Sequence, residues 1–176
     1  ESQGTNINNN ETLKQKIESA YRTLGSSSFY DDMMTHSSFL GSLVEYLVWG
    51  YSKEDSDLIN GRVLSYIGEN FSGKLLEVPV GTGVLTIPFY SLITNADIHC
   101  LDYSEEMLNQ SREKADKLNI QNIKFQQGDV GNLPYDNNTF DIVLSMNGFH
   151  AFPDKEKAFS ETYRVLKQGG KFCGCF

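Results

Sequence analysis

From residue 74 onward, short apolar runs alternate with stretches whose apolar positions recur every three or four residues. Lys74 to Val80 reads as a short buried strand, and a glycine turn at Gly81 and Gly83 leads into a helix reaching about Ile93. Pro88 falls just past the first turn of that helix and should loosen or kink it. Asp97 to Leu101 is a second strand. Ser104 to Leu118 is a helix with Ser104 as N-cap, Glu105 and Glu106 at its positive end, and Leu108, Ser111, Ala115 and Leu118 inward. Ile123 to Gln127 and Phe140 to Ser145 are further strands. Pro153 to Leu166 is a helix with proline at its start. A turn at Gln168-Gly169-Gly170 leads into a fifth strand, Lys171 to Phe176. Strands alternating with helices imply a parallel sheet covered on both faces.

The first 72 residues follow a different pattern. Residues 1–10 are polar and without periodicity. Leu13, Ile17, Ala20, Tyr21 and Leu24 share one helical face, His36 to Trp49 is a second apolar helix, and Asp55 to Asn70 a third. The chain therefore divides into a helical cap, residues 1–72, and an α/β core, residues 73–176.

In a parallel sheet, ligands bind beyond the carboxyl ends of the strands, where the strand order reverses. The segments there are Glu77 to Gly83, Asp102-Tyr103, Gly128-Asp129-Val130 and Ser145-Met146-Asn147. Gly81 and Gly83 can present backbone N–H groups to an anionic group, or can simply form a tight strand–helix turn. Thr86 stands where the dinucleotide fingerprint needs its third glycine. Asp102, 19 residues after Gly83, suits a ribose diol, or else serves the N-terminus of the next helix. Asp129 and the N–H of Val130 can read an adenine edge, although an aspartate after glycine is also a common turn residue. Three carboxylates around one glycine turn repel a pyrophosphate and favour a cationic adenosine derivative.

Composition narrows the partners. The chain has 176 residues, with 23 acidic against 15 basic and a net charge of −8, which disfavours a long nucleic-acid interface. Three cysteines form no disulfide framework and point to a reducing compartment, hence the cytoplasm. The most apolar stretch, Phe39 to Gly50, is too short to span a membrane and contains Glu45. No basic-then-apolar leader opens the sequence.

Leu-Leu-Glu-Val-Pro-Val-Gly-Thr-Gly, from Leu75, resembles motif I of the class I S-adenosylmethionine-dependent methyltransferases. Leu-Asp-Tyr-Ser-Glu-Glu-Met-Leu, from Leu101, resembles their acidic second-strand loop. Gly128 to Tyr135 and Asn138 to Met146 resemble the next two motifs. Glu161 to Phe172 is similar to the helix and turn into the fifth strand. The closest flavour is the small-molecule branch typified by ubiquinone and menaquinone biosynthesis. The resemblance implies a Rossmann-like sheet ordered 3-2-1-4-5, S-adenosylmethionine as cofactor, and methyl transfer to a small molecule by in-line displacement. A nicotinamide-dependent oxidoreductase and a non-catalytic S-adenosylmethionine-binding module are the rival readings.

The implied roles follow residue by residue. Glu77, Gly81 and Gly83 would hold the methionine end. Asp102 would take the ribose hydroxyls, with Tyr103 and Met107 beside the ring, and Asp129 and Val130 would read adenine. Ser145 and Met146 would face the methionine moiety, with Asn147 to His150 toward the acceptor. The family often has glycine where Pro79 stands, so Pro79 is expected to make contact without donating. His150 is the candidate general base, with loop packing its alternative. Tyr30, in Phe29-Tyr30-Asp31-Asp32, is a candidate lid residue, and Tyr21 and Trp49 could join it near the sulfonium. Cys173 and Cys175 share one side of the fifth strand and read as buried thiols; His36 and His99 read as structural or exposed. The family's sheet has seven strands and five are legible here, which suggests a truncated fold.

Overall fold

The structure, a computed structural model, describes residues 53–146 and 148–175. The expected helices over residues 13–24 and 36–49, together with Tyr21, Tyr30, His36 and Trp49, lie outside the described residues, as does Asn147.

Strands β1 (Lys74–Glu77), β2 (Asp97–Asp102), β3 (Ile123–Gln127), β4 (Phe140–Met146) and β5 (Leu166–Cys175) form one parallel sheet in the order β3-β2-β1-β4-β5. This is the expected order, and its reversal lies between β1 and β4. The helices are α1 (Lys53–Ile67), α2 (Ile87–Tyr90), α3 (Glu105–Lys117) and α4 (Lys155–Val165).

The central strands β1, β2 and β4 are buried on both faces, as continuous apolar runs in parallel strands require, while the outer β3 and β5 are partly exposed. One core cluster joins Leu75, Ile98, Leu144 and Met146 to Leu108 of α3 and to Leu64 and Ile67 of α1. The other joins Leu76, Val143 and Phe140 to Ala158 and Val165 of α4. Helix α1 thus packs its last turns into the same core as the sheet.

Most element boundaries match the sequence pattern within two or three residues. Ser104 caps α3 by accepting the N–H of Met107, and Leu108, Ser111 and Ala115 face inward. Four local differences stand out. The helix expected from the glycine turn to Ile93 is a single turn, Ile87–Tyr90, flanked by turns. Pro88 lacks an N–H, so the Val84 carbonyl has no helical donor four residues on. Strand β1 ends at Glu77 rather than Val80, because the next peptide bond, Val78–Pro79, is cis and the chain turns away. In α4 the cap is Asp154, whose carboxylate accepts the N–H of Lys157; Pro153 stands just ahead of the helix. The expected Gln168-Gly169-Gly170 turn survives as a break in register within β5, between the pairs Phe140–Leu166 and Ile142–Lys171.

Candidate functional site

Parallel register brings the carboxyl ends of β1, β2 and β4 to one edge. Glu77 pairs with Cys100 on one side and Leu144 on the other, and Asp102 pairs with Gln127. Backbone bonds from Val78 N–H to the Leu144 carbonyl and from Val80 N–H to the Leu101 carbonyl carry the alignment past the strand ends.

Glu77 is fully buried. Its Oε2 accepts the Tyr90 hydroxyl at 2.7 Å, with the Cys100 thiol at 3.9 Å. Burial pushes the carboxyl up to about 8, and the negative charge of Asp102 adds to the rise. The Tyr90 bond offsets part of it; the Thr86 hydroxyl helps from nearby without reaching hydrogen-bond geometry.

Gly81 and Gly83 both adopt positive φ, +57° and +68°. The Gly81 peptide is held at both ends: its N–H donates to Asp102 Oδ2 at 2.8 Å, and its carbonyl accepts the Ser111 hydroxyl at 2.8 Å. Among the described residues a Cβ on Gly81 would meet no atom within 4 Å, whereas one on Gly83 would strike Ile87 and Ser111. The turn is therefore packed on its Gly83 side and open on its Gly81 side.

Asp102 is buried, and its second oxygen accepts the Ser104 N–H at 2.9 Å. The carboxylate thus serves the start of α3 and the glycine turn together. Tyr103 beside it is strongly exposed, and Met107 is half-buried. Asp129 is exposed; its Oδ1 accepts the Gly131 N–H at 2.8 Å and caps a short 3-10 turn, with Val130 buried at the turn's start. Ser145 and Met146 close β4, both buried, and Ser145 Oγ has no hydrogen-bond partner among the described residues. Pro79 packs on the backbone of Gly148, where a side chain would overlap its ring. His150 lies in the 3-10 turn Phe149–Ala151 that follows β4.

Some residues that build this site were not singled out in the sequence. Tyr90 and Ser111 are two. Arg164 is a third: it grips Glu161 at 2.7 and 2.8 Å and donates to the carbonyls of Leu133 and Tyr135, while Glu161 accepts the Leu133 N–H. The pair pins the loop that follows Asp129 onto α4. The residues read as structural lie apart from the site. His99 packs edge-on against Tyr135 and Phe140 and pairs with Asp97 at 3.3 Å. Cys173 and Cys175 are half-buried rather than fully buried, because β5 lies at the end of the described sheet; the Cys175 thiol donates to Asn60 at 3.9 Å.

Residues 75–170 match the methyltransferase domain family. The chain belongs to that family. This methyltransferase domain is 30% identical over 162 residues to the demethylmenaquinone methyltransferase of Staphylococcus epidermidis, covering 92% of the chain and 60% of the relative. It is 36% identical over 108 residues to the ubiquinone/menaquinone biosynthesis C-methyltransferase of Rickettsia prowazekii, covering 58% of the chain and 44% of the relative. A solved SAM-dependent methyltransferase from Aquifex aeolicus superposes with a TM-score of 0.56 at 26% identity, over 61% of the chain and 58% of that structure. The chain thus spans about 60% or less of the length of these relatives. S-adenosylmethionine is the family's methyl donor.

Proposed function

We propose that this methyltransferase domain binds S-adenosylmethionine over the Gly81 turn and transfers its methyl group to a small quinone-type acceptor. The observation that carries the reading is the bond from the Gly81 N–H to Asp102 Oδ2, which sets a buried carboxylate against the glycine turn, with the buried Glu77 ending β1 just before that turn. The donor set suits the cofactor. A cationic ligand meets carboxylates, the open space at Gly81 admits its close approach, and the orphaned Ser145 hydroxyl offers a polar group at the end of β4. Glu77 and the glycine turn would hold the methionine end. Asp102, Tyr103 and Met107 would hold the ribose, Asp129 and Val130 would read adenine, and Met146 and Pro79 would supply contact.

The bound cofactor supplies an already activated methyl group. The chain's work is then positioning, which can contribute on the order of 7–11 kcal/mol. The loops after β1 and β4 meet at Pro79 and Gly148 at the switch point, so cofactor and acceptor would face each other there. His150, just beyond, is our candidate to accept a proton from an acceptor that must lose one. Tyr30, from the proposed cap over residues 1–72, would close over the cofactor. The acceptor class comes from the curated relatives, among them one named a demethylmenaquinone methyltransferase and one a ubiquinone/menaquinone biosynthesis C-methyltransferase. The acidic chain favours a small molecule over nucleic acid. Three free thiols favour the cytoplasm, and among the described residues no helix is long and apolar enough to cross a membrane.

The test is incubation with methyl-labelled S-adenosylmethionine and a reduced demethylmenaquinone. Label in the quinone, with S-adenosylhomocysteine released in equal amount, is the expected result. Binding of NADH in place of S-adenosylmethionine would overturn the reading.

A further inference from the structure

Three polar groups, Glu77, Tyr90 and Cys100, meet inside the core at the carboxyl end of β1. The Tyr90 hydroxyl and the Cys100 thiol both donate to the same carboxyl oxygen, Oε2. Oε2 is therefore occupied as an acceptor, and a proton on this carboxyl group belongs on Oε1. Burial and the adjacent Glu77 push the Tyr90 phenol well up, and burial does the same to the Cys100 thiol. Both remain protonated donors in either state of Glu77.

No cation reaches this carboxyl group among the described residues. The titratable groups facing it are Tyr90 from α2 and Cys100 and Asp102 from β2; β4 contributes the apolar Leu144 alongside. A buried carboxylate without a cation is costly, so it keeps its proton until a cation arrives. Among the described residues Tyr90 is the strong donor in place to stabilise the ionised form when that happens.

We propose that Tyr90 is a positioning residue for Glu77, and that S-adenosylmethionine binds with release of one proton from the Glu77 carboxyl group. The inference rests on the cofactor reading above. The Glu77 O–H bond breaks, the proton passes to buffer, and the carboxylate left behind faces the ligand's positive charge while Tyr90 continues to donate to Oε2. With the carboxyl titrating at about 8, most sites carry the proton at neutral pH.

Titration calorimetry with S-adenosylmethionine, in buffers of different ionisation enthalpy, counts released protons directly. The wild-type protein should release most of a proton per site at pH 7 and much less at pH 9. Glu77→Gln should bind on the order of tenfold more weakly at pH 7 and release none, which distinguishes Glu77 from the ligand's own ammonium as the source. Tyr90→Phe removes the donor with little change in shape. It should move the release midpoint to higher pH, a change that a purely packing role for Tyr90 would not produce. Binding heat independent of buffer in the wild type overturns proton release, and an unmoved midpoint in Tyr90→Phe overturns its positioning role. Absence of binding in every buffer overturns the cofactor reading itself, and the inference with it.

Discussion

The backbone N–H of Gly81 donates to Asp102 Oδ2 at 2.8 Å, joining the loop after β1 to the end of β2. The same carboxylate accepts the Ser104 N–H, so it organises the candidate cofactor site whether or not a ribose is bound. Asp102→Ala should then do two things. It should weaken S-adenosylmethionine binding by at least about 1 kcal/mol, and it should lower stability without ligand by about 1–3 kcal/mol as two backbone donors lose their acceptor. Calorimetry and thermal denaturation measure the two effects separately. An unchanged affinity would remove Asp102 from the cofactor site.

The two glycines of the turn should respond differently to a methyl group. Both have positive φ, so alanine at either position costs about 1–2 kcal/mol in backbone strain. At Gly83 the new Cβ also meets Ile87 and Ser111, and the folding loss should be larger. At Gly81 no atom of the described residues lies within 4 Å, so the methyl points into the space assigned to the ligand. Gly81→Ala is expected to lose more binding than stability, and Gly83→Ala more stability. Equal profiles would show that the turn has no ligand side.

That asymmetry marks how far the sequence could be read. Apolar runs alternating with helical periodicity, punctuated by glycine, were enough for the strand pattern, and Asp102 stood out because its place after β2 and its spacing from Gly83 are local properties. Tyr90 and Ser111 did not stand out. Tyr90 reads as one more apolar position in a helix, and only the shortening of α2 at Pro88 and its packing against β1 bring its hydroxyl to Glu77. Ser111 reads as a small residue on an inner helical face; that it reaches the Gly81 carbonyl depends on how α3 docks. Arg164 and Glu161 are three apart on a helix and look like an ordinary surface pair. Their bonds to Leu133 and Tyr135, roughly 30 residues earlier in the chain, arise only from tertiary packing.

The buried Glu77 carboxyl makes stability without cofactor depend on pH in an unusual direction. Its folded value is raised to about 8 from an ordinary 4.5. Between those values the unfolded chain releases this proton and the folded chain keeps it, so this group's contribution to stability falls as pH rises. Thermal midpoints of the wild-type protein, compared with those of Glu77→Gln, should converge at low pH and diverge by pH 8, with the wild type lower. Parallel curves would mean that Glu77 titrates normally.

The Arg164–Glu161 pair supports the segment that carries Asp129. Arg164 holds Glu161 below the usual carboxylate range, and both grip the loop over Leu133 to Tyr135. Arg164→Ala leaves those two carbonyls without this donor and should cost about 1–3 kcal/mol in stability. The contribution of Glu161 fades as pH falls through its lowered value, so the difference between wild type and Arg164→Ala should narrow in acid. A constant difference down to low pH would assign Arg164 a role in packing alone.

Ser145 presents the sharpest separation of folding from binding. Its hydroxyl is fully buried at the end of β4 and has no hydrogen-bond partner among the described residues. An unsatisfied buried hydroxyl costs about 1–3 kcal/mol of desolvation, and alanine removes it while leaving the strand geometry unchanged. Ser145→Ala should therefore be neutral or stabilising without ligand, which is unusual for a fully buried position. If the hydroxyl is kept for the cofactor, the same variant should bind S-adenosylmethionine more weakly, by about 1 kcal/mol for one neutral hydrogen bond. The expected signature is thus a thermal midpoint that rises or holds without S-adenosylmethionine and gains less than the wild type when it is added. A variant equally stabilised by the cofactor would place Ser145 in the core alone and remove it from the site.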